Sequence, residues 1–437
     1  MDEKLPVVVI GAGPQGLAAA AHLLERGLDP IVLEAGDRPA AADREWSHVR
    51  LFSDWAELVD GAAARLLAST GWTPPAPGYP LGREWVGSYL QPLAAALGGR
   101  VRTGSRVIGV SRLGRDRIVD AGRAEQPFVV HVQTTDGQET RIRARAVLDA
   151  SGTWSQPNPA GADGLPALGE RANGAVGYRV PDLEQDASFV GRHVVVVGSG
   201  HSAMTAVNGL AALQRTAPGT RVTWVLRRGT VGDALGGGGN DELPARGALG
   251  VRAQQAVDSG AVTLLTAFRL DRFDSDGEQL EVVAEDGRRI TGVDRVLVLT
   301  GFRPDLSFLS EVRLDLDPTL QAPRRLAEEV DPNVHSCGTV RATGALDLAQ
   351  PEPDFFLLGA KSYGRAPTFL AMTGYEQVRS VAAMLAGDTV AAKRVELALP
   401  ETGVCGGSGL FDSDGDEGSC CVPQRSVLQL GLRPVGS

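Results

Sequence analysis

Two short segments of the chain share one pattern, an apolar β-branched run followed by closely spaced glycines and an apolar stretch. In the first, PVVVIGAGPQGLAAAAHLLERG, the run Val7–Ile10 predicts a parallel strand buried on both faces, and Leu17–Leu24 predicts a helix. Gly11, Gly13 and Gly16 between them give G-x-G-x-x-G. Such glycines permit a tight bend, close approach of the backbone to a diphosphate, and close packing of the helix on the strand. The segment therefore predicts a dinucleotide site at the helix N-terminus rather than a purely structural glycine turn.

An acidic residue follows at the distance that such a site requires. The next predicted strand, Pro30–Leu33, ends in Glu34, which lies 23 residues beyond Gly11. A carboxylate at this place accepts hydrogen bonds from the ribose hydroxyls of the dinucleotide.

The second segment, HVVVVGSGHSAMTAVNGLAAL, repeats the pattern in the form G-x-G-x-x-A. Val194–Val197 predicts another buried strand, and Gly198, Gly200 and Ala203 form the turn. The two turns begin 187 residues apart (198 minus 11), which fits one cofactor in each of two folds. Enzymes with two such sites bind a flavin in the first and a nicotinamide in the second, so that hydride passes from one to the other. We expect FAD and NADPH as cofactors.

A pair of arginines indicates which nicotinamide cofactor is used. The strand Arg221–Leu226 ends in Arg227 and Arg228, where the first fold has its acid. Two guanidinium groups can clamp the 2′-phosphate of NADPH, which a carboxylate would repel. The alternative is that the two arginines are only the solvated end of a strand.

Length and composition fit a soluble enzyme with more than one domain. The chain has 437 residues, 43% hydrophobic and 22% charged, and a net charge of −10, which gives no support to nucleic-acid binding. No segment reaches the roughly 20 uncharged apolar residues of a membrane helix, and the N-terminal apolar run is interpreted as a strand, not a signal peptide. Four cysteines in a chain of this length favour a reducing, cytoplasmic location.

The order of these patterns predicts an α/β protein with two Rossmann-like dinucleotide-binding domains, the NADPH domain inserted in the FAD domain. A small antiparallel excursion with a hairpin turn at Asp136-Gly137 follows the first unit. Four glycines at 236–239 predict a loop, either a cover over the nicotinamide or a plain surface loop. The predicted ranges are 1–155 (FAD domain, first part), 156–189 (linker), 190–294 (NADPH domain), 295–395 (FAD domain, second part) and 396–437 (flexible cysteine-containing tail).

Longer motifs add a resemblance to a known family. GAGPQG, DASGTWSQPN, GSGHSA, LRR and TGFRPDL resemble the relatives of class B flavin-dependent monooxygenases, and together they cover residues 6–385. More specifically, DPNVHSCGTV, KSYGRAPTFL, GYEQVRSVAA and LPETGVC with a later Cys-Cys pair resemble the flavoprotein monooxygenases encoded in bacterial arsenic-resistance operons.

The resemblance implies site residues at the matching positions. Those implied to hold FAD are Gly11, Gly13, Pro14, Gln15, Gly16, Glu34, Trp46, Arg50, Ser53, Val107, Gly152, Gly364, Pro367 and Thr368. Those implied to hold NADPH are Gly198, Gly200, His201, Ser202 and Ala203. It implies no catalytic side chain, because the reaction is centred on the flavin and proceeds through a C4a-hydroperoxyflavin.

The sequence departs from two related patterns. Class B monooxygenases carry Phe-x-Gly-x-x-x-His just before the second turn, and the corresponding AVGYRVPDLEQDASFVGRH lacks it. The predicted NADPH domain also lacks the Cys-x-x-Cys expected of an ordinary thioredoxin reductase.

Three of the four cysteines fall in the last 33 residues, in a segment rich in Gly, Ser and Asp. Cys405, Cys420 and Cys421 could bind a thiophilic ion such as trivalent arsenic. Alternatively, the adjacent pair could exchange electrons as a dithiol, or all three could be incidental thiols. Cys337 is predicted to be a packing residue.

The leading hypothesis is an FAD- and NADPH-dependent monooxygenase that uses O₂ to oxygenate a soft nucleophile such as trivalent arsenic or an organoarsenical. The alternative is an NADPH-dependent flavin disulfide or metalloid reductase working through Cys420 and Cys421. A non-enzymatic metalloid sensor or carrier is the third reading. Monomer and homodimer both remain open, and no nucleic-acid or membrane partner is expected.

Overall fold

The computed structural model describes residues 5–231, 235, 244–276, 279–332, 342–366 and 369–397. The strands in chain order are β1 (Val7–Ile10), β2 (Pro30–Leu33), β3 (Val101–Arg102), β4 (Ser105–Arg112), β5 (Phe128–Thr134), β6 (Glu139–Ala144), β7 (Ala146–Asp149), β8 (Val176–Gly177), β9 (His193–Val197), β10 (Arg221–Val225), β11 (Thr263–Leu265), β12 (Leu270–Asp276), β13 (Gln279–Ala284), β14 (Arg289–Val293), β15 (Arg295–Val298) and β16 (Phe355–Leu357).

Along the chain, most helices lie between strands that belong to two parallel sheets. In chain order they are α1 (Pro14–Glu25), α2 (Ala41–Glu45), α3 (Trp55–Leu58), α4 (Gly61–Ala68), α5 (Gly82–Trp85), α6 (Gln91–Leu97), α7 (His201–Thr216), α8 (Pro244–Asp258), α9 (Arg324–Val330), α10 (Ala345–Leu348), α11 (Ala371–Leu385) and α12 (Thr389–Lys393). Among the described residues, none of these helices has the length and apolar character needed to cross a membrane.

The first parallel sheet has the strand order β16-β7-β1-β2-β3. All four residues of β1 are buried, because α1 and α11 cover one face and the antiparallel sheet β4-β5-β6 contributes to the core on the other. The run of alanines in α1 has small side chains, which let this helix lie close to the strands. The hairpin predicted at Asp136-Gly137 joins β5 to β6, and Gly137 has a positive φ of 83°.

The second parallel sheet has the strand order β11-β10-β9-β15-β8 and lies, in sequence, between β7 and β16. The second fold is therefore inserted in the first, as predicted. The second fold carries its own antiparallel sheet, β12-β13-β14. α7 packs on β9 and β10 of the parallel sheet and also contacts α8.

The structure corrects two of the predicted domain boundaries. β8 lies in the stretch interpreted as a linker, yet it pairs with β15 in the second sheet. β15 itself was assigned to the second part of the FAD domain, but it pairs with β9. The second sheet therefore draws strands from residues 176–298. The chain returns to the first sheet at β16, which pairs with β7.

Candidate functional site

The first glycine turn joins β1 to α1 and is shaped by its three glycines. Gly11 has a φ of 98°, and its N–H donates to the carbonyl of Leu33 at 2.7 Å. A Cβ on Gly16 would overlap the carbonyl oxygen of Gly11, so this position accepts only glycine without a shift of the backbone. At Gly13 the atom nearest to a Cβ position is Asp43 Oδ2, at a van der Waals distance of 3.6 Å. The tight turn brings the backbone at Gly13 to where a diphosphate is expected, beside this carboxyl group.

Glu34 lies at the carboxyl end of β2 and is fixed by the backbone beside this turn. Its two carboxylate oxygens accept hydrogen bonds from the N–H groups of Ala12 and Gly36, each at 2.8 Å. Each oxygen keeps a second lone pair that can accept a hydrogen bond from a ligand hydroxyl. The carboxylate is therefore preoriented at the place where ribose hydroxyls are expected.

The second turn has the same construction in the inserted fold. Gly198 has a φ of 128°, and a Cβ there would overlap the carbonyl oxygen of Leu299. Gly200 caps the N-terminus of α7, and no heavy atom lies within 4 Å of its Cβ position. Ala203, at the place of the third glycine, is completely buried. The N-terminus of α7 is therefore bare, as an anion site needs.

Both turns open on one cavity of about 750 Å³ between the two folds. The structure brings together twelve of the residues singled out in the sequence along its wall, namely Gly11, Gly13, Pro14, Gln15, Glu34, Trp46, Arg50, Ser53, Val107, Gly152, His201 and Ser202. The volume is large enough for substantial parts of two cofactors to meet. No cysteine is among the lining residues in the described part of the chain.

Aromatic rings from both folds line the cavity where the folds meet. Trp154, which follows β7, stacks on Phe302, which follows β15, with ring centroids 5.0 Å apart. The guanidinium of Arg179 lies 3.9 Å from the centroid of Trp154. On the other side of the junction, Phe52 of the first fold contacts His201 at the start of α7, with ring centroids 5.1 Å apart. These half-buried rings give the region where the two folds meet an aromatic lining.

Hydrogen bonds reinforce the same junction. The indole N–H of Trp154 donates to Glu45 Oε2 at 2.8 Å, and Arg179 Nη2 donates to the carbonyl of Trp154 at 2.6 Å. His48 Nε2 lies 3.0 Å from the carbonyl oxygen of Val180. Trp154, Arg179 and Phe302 were not identified individually from the sequence. They lie far apart along the chain and come together only where the chain crosses from one fold to the other.

A buried ion pair supports the turn after β7. Lys361 Nζ lies 2.7 Å from Asp149 Oδ2, and neither side chain is exposed to solvent. The same ammonium group donates to Ser151 Oγ at 3.0 Å, and Ser151 lines the cavity. The sequence carries a signal for this pair: the lysine lies within an apolar segment, and the aspartate ends an apolar strand. Charged side chains are rarely buried without a partner of opposite charge, so these two could have been expected to pair.

Asp43, in the first turn of α2, is a buried carboxyl group on the cavity wall. Burial, and to a smaller extent the negative charge of Glu34, raise the pKa of Asp43 to about 7. Sequence reasoning missed this residue because no motif marks it.

Several predicted residues lie away from the cavity. Gly364 has a left-handed φ of 58°, and a Cβ there would overlap the carbonyl oxygen of Leu320, so it packs against that loop instead of lining the cavity. Phe369, Leu370 and Ala371 line the wall on this side. Gly16, Gly198 and Ala203 shape the turns from behind, and Gly200 is an exposed residue at the N-terminus of α7.

Arg227 and Arg228 follow the end of β10, outside the cavity wall. The Arg227 side chain is exposed, and its Nη1 donates to the carbonyl of Ala162 at 2.8 Å. Pro367, Thr368, the glycines at 236–239 and the four cysteines (Cys337, Cys405, Cys420, Cys421) lie outside the described residues. Within the described ranges, no cluster of three His, Cys, Asp or Glu side chains could hold a metal ion.

Comparison with known proteins gives one family match. The sequence profile described as pyridine nucleotide-disulphide oxidoreductase matches residues 8–334 of this chain.

Individual proteins match at lower identity. Indole-3-pyruvate monooxygenase YUCCA1 of Oryza sativa subsp. japonica is 30% identical over 203 residues, 45% of this chain and 43% of that protein. The chain thus spans less than half the length of that relative. The ferredoxin–NADP reductase of Ignicoccus hospitalis is 24% identical over 313 residues, 71% of this chain and 81% of that protein. The structure of bacillithiol disulfide reductase Bdr from Bacillus cereus superposes with a TM-score of 0.65 at 20% identity, covering 88% of this chain and 99% of that one.

Proposed function

The chain belongs to the pyridine nucleotide-disulphide oxidoreductase family and is an FAD- and NAD(P)H-dependent oxidoreductase, and we propose that its activity is that of an NADPH-dependent flavin monooxygenase. The observation that carries the proposal is the shared cavity. Two diphosphate cradles open on it, stacked aromatic rings line the junction of the two folds, and the described part of its wall contributes no thiol. A flavin monooxygenase needs both cofactors in one place and little water, but few reactive side chains.

The residues of the first turn fit FAD. The backbone at Gly13 and the N-terminus of α1 would hold the diphosphate, and Glu34 would accept hydrogen bonds from the ribose. Bound FAD supplies the redox chemistry, accepting hydride from the nicotinamide and activating O₂ for transfer to the substrate.

The residues of the second turn fit a nicotinamide dinucleotide. Gly200 and the N-terminus of α7 would bind its diphosphate, and His201 and Phe52 would lie at the junction that the nicotinamide must reach. Trp154, Phe302 and Arg179 would keep water from this junction.

The choice of NADPH rests on the arginines after β10. Replacing Arg227 and Arg228 together with Ala should raise the KM for NADPH by about 10- to 100-fold, because two charge-assisted contacts to the 2′-phosphate would be lost. The KM for NADH, which has no 2′-phosphate, should change by no more than about threefold. Steady-state kinetics with both cofactors measure this selectivity.

Arg221→Ala is the matched control, because Arg221 is an exposed arginine at the other end of the same strand. It should leave both KM values unchanged. An equal rise in the KM for NADPH and NADH in the double variant would exclude recognition of the 2′-phosphate by these arginines, and two unchanged KM values would assign them to the protein surface alone.

The substrate we propose is trivalent arsenic, as arsenite or an organoarsenical. Its arsenic lone pair is a soft nucleophile that can take one oxygen atom, giving the pentavalent product, NADP⁺ and water from NADPH, O₂ and a proton. The support is the motif resemblance and the three thiols of the C-terminal segment, which are suited to a thiophilic ion.

Arsenite addition tests the oxygenase and its substrate together. With the FAD-loaded protein and NADPH, arsenite should stimulate oxygen uptake by about tenfold or more with little hydrogen peroxide released, and arsenate should accumulate in step with NADPH consumed. If every arsenical leaves only peroxide-forming NADPH oxidation, the arsenical substrate is excluded. If another soft nucleophile then couples, the oxygenase stands with a different substrate.

A reductase is the second candidate, favoured by the adjacent Cys420 and Cys421 and by the disulphide chemistry for which the family is named. It would transfer electrons from the flavin through this cysteine pair to a disulfide or metal ion. Such an enzyme turns over without O₂ and loses turnover in Cys421→Ser. Anaerobic NADPH consumption with disulfide and metalloid acceptors, in the wild type and in this variant, separates the two candidates.

A further inference from the structure

Asp43 occupies an unusual place for an acidic residue. Its Oδ2 lies 3.6 Å from the Cβ position of Gly13, beside the part of the first turn that we assign to the diphosphate. Its side chain lines the cavity and is 8% exposed. An ionised carboxylate at this point would face the negative charges of an incoming diphosphate at close range.

The surroundings of Asp43 favour its neutral form, because burial outweighs the hydrogen bond from its own backbone N–H and the attraction of Arg44. No other described residue donates a hydrogen bond to its carboxyl group, so its oxygens face the cavity without a partner from another residue. Glu34, at the end of β2, adds negative charge, and burial acts in the same direction to raise the pKa of Asp43.

The groups that could offset this effect point elsewhere. Arg44, the adjacent residue on α2, donates from Nε to the carbonyl of Pro39 and from Nη2 to Gln91 Oε1. The hydroxyl of Tyr375 on α11 donates to the carbonyl of Leu58 at 2.9 Å. Asp43 therefore has no fixed cationic or hydroxyl partner among the described residues.

We propose that Asp43 binds FAD as a neutral carboxylic acid whose O–H donates a hydrogen bond to the diphosphate, so that FAD affinity falls as the pH rises above neutrality. The inference rests on FAD binding at the first turn. It adds a ligand that the glycine pattern does not contain, and it makes flavin loading sensitive to pH. A carboxyl kept neutral by its surroundings so that it can donate a hydrogen bond is an established device in enzyme active sites.

The sign of the pH dependence follows from linkage. With a pKa of about 7 in the free protein, Asp43 is neutral at lower pH and ionised at higher pH. The diphosphate favours the neutral form, so the FAD complex retains the proton. Above about pH 7 the free protein must therefore take up a proton to bind FAD, and the Kd should rise by up to tenfold per pH unit. Below about pH 7 this group makes no contribution to the slope.

The test is a set of FAD titrations of the apoprotein, followed by quenching of flavin fluorescence at about pH 6, 7 and 8.5. In the wild type the Kd should rise by roughly 10- to 30-fold over this range. Asp43→Asn, whose amide N–H₂ can donate at every pH, should bind with nearly constant affinity, close to that of the wild type at low pH. Circular dichroism at each pH verifies that both proteins remain folded.

Glu34→Gln is the matched control for the other carboxylate of the site. It should weaken FAD binding at every pH and keep a Kd that rises with pH, because Asp43 is still present; the rise should begin at lower pH, since the charge of Glu34 no longer raises the pKa of Asp43. A wild-type Kd that does not change with pH, or an Asp43→Asn variant with the wild-type slope, would overturn the proposed role of Asp43. Failure of FAD to bind at any pH would instead refute the flavin site itself.

Discussion

Gly16→Ala should give a nearly colourless protein, with FAD content reduced from about one per chain to less than about a tenth of that. The added Cβ would overlap the carbonyl oxygen of Gly11, so the first turn must shift where α1 meets β1. Such overpacking costs typically 1–3 kcal/mol, and here the displaced atoms are the backbone that would bind the diphosphate. The ratio of flavin to protein absorbance after purification measures the effect.

Gly87→Ala is the control for this change, because no heavy atom lies within 4 Å of the Cβ position of Gly87 and its φ is not positive. It should retain full FAD. Thermal unfolding of both variants separates loss of the flavin site from loss of the fold. A folded Gly16→Ala protein with undiminished FAD would contradict the assignment of the diphosphate to this turn.

Gly200→Val should have the complementary effect, with full FAD content but a KM for NADPH raised by more than about tenfold. Gly200 has an extended backbone (φ −85°, ψ 179°) and open space around its Cβ position, so the protein itself can accept a side chain there. The new side chain would occupy the space at the N-terminus of α7 that we assign to the NADPH diphosphate. Rates of NADPH oxidation at varied NADPH concentration give the KM.

Gly174→Val changes an equally open glycine in the loop before β8 and should leave the KM unchanged. A normal KM for NADPH in Gly200→Val would mean that the second turn does not bind this cofactor. Together the two variants should separate the two sites, because Gly16→Ala should lose FAD and Gly200→Val should bind NADPH weakly.

The two strand–turn–helix units could be predicted from the sequence because their determinants are local. In β1 and β9 the buried β-branched runs directly precede the glycines, and the positive φ angles of Gly11 and Gly198 follow from the tightness of the turns. The insertion of the second fold also followed from the order of these patterns along the chain.

Features that depend on distant parts of the chain were not predicted. β8 is only two residues long, and β15 lies after the antiparallel sheet, so their membership in the second sheet appears only through pairing. The stacking of Trp154 on Phe302 likewise depends on two chain crossings that meet in space. The burial of Asp43 follows from packing around a five-residue helix that carries no motif.

The claim on which the function depends is that both turns place their cofactors in one cavity, where NADPH reduces FAD. Anaerobic addition of NADPH to the FAD-loaded protein tests it directly, with the flavin absorbance followed in a stopped-flow instrument. We predict that an amount of NADPH equal to the amount of flavin bleaches the oxidised flavin spectrum of the wild-type protein. The same low NADPH concentration should leave the flavin of Gly200→Val oxidised. A wild-type protein that binds NADPH but keeps its flavin oxidised would contradict the shared cavity.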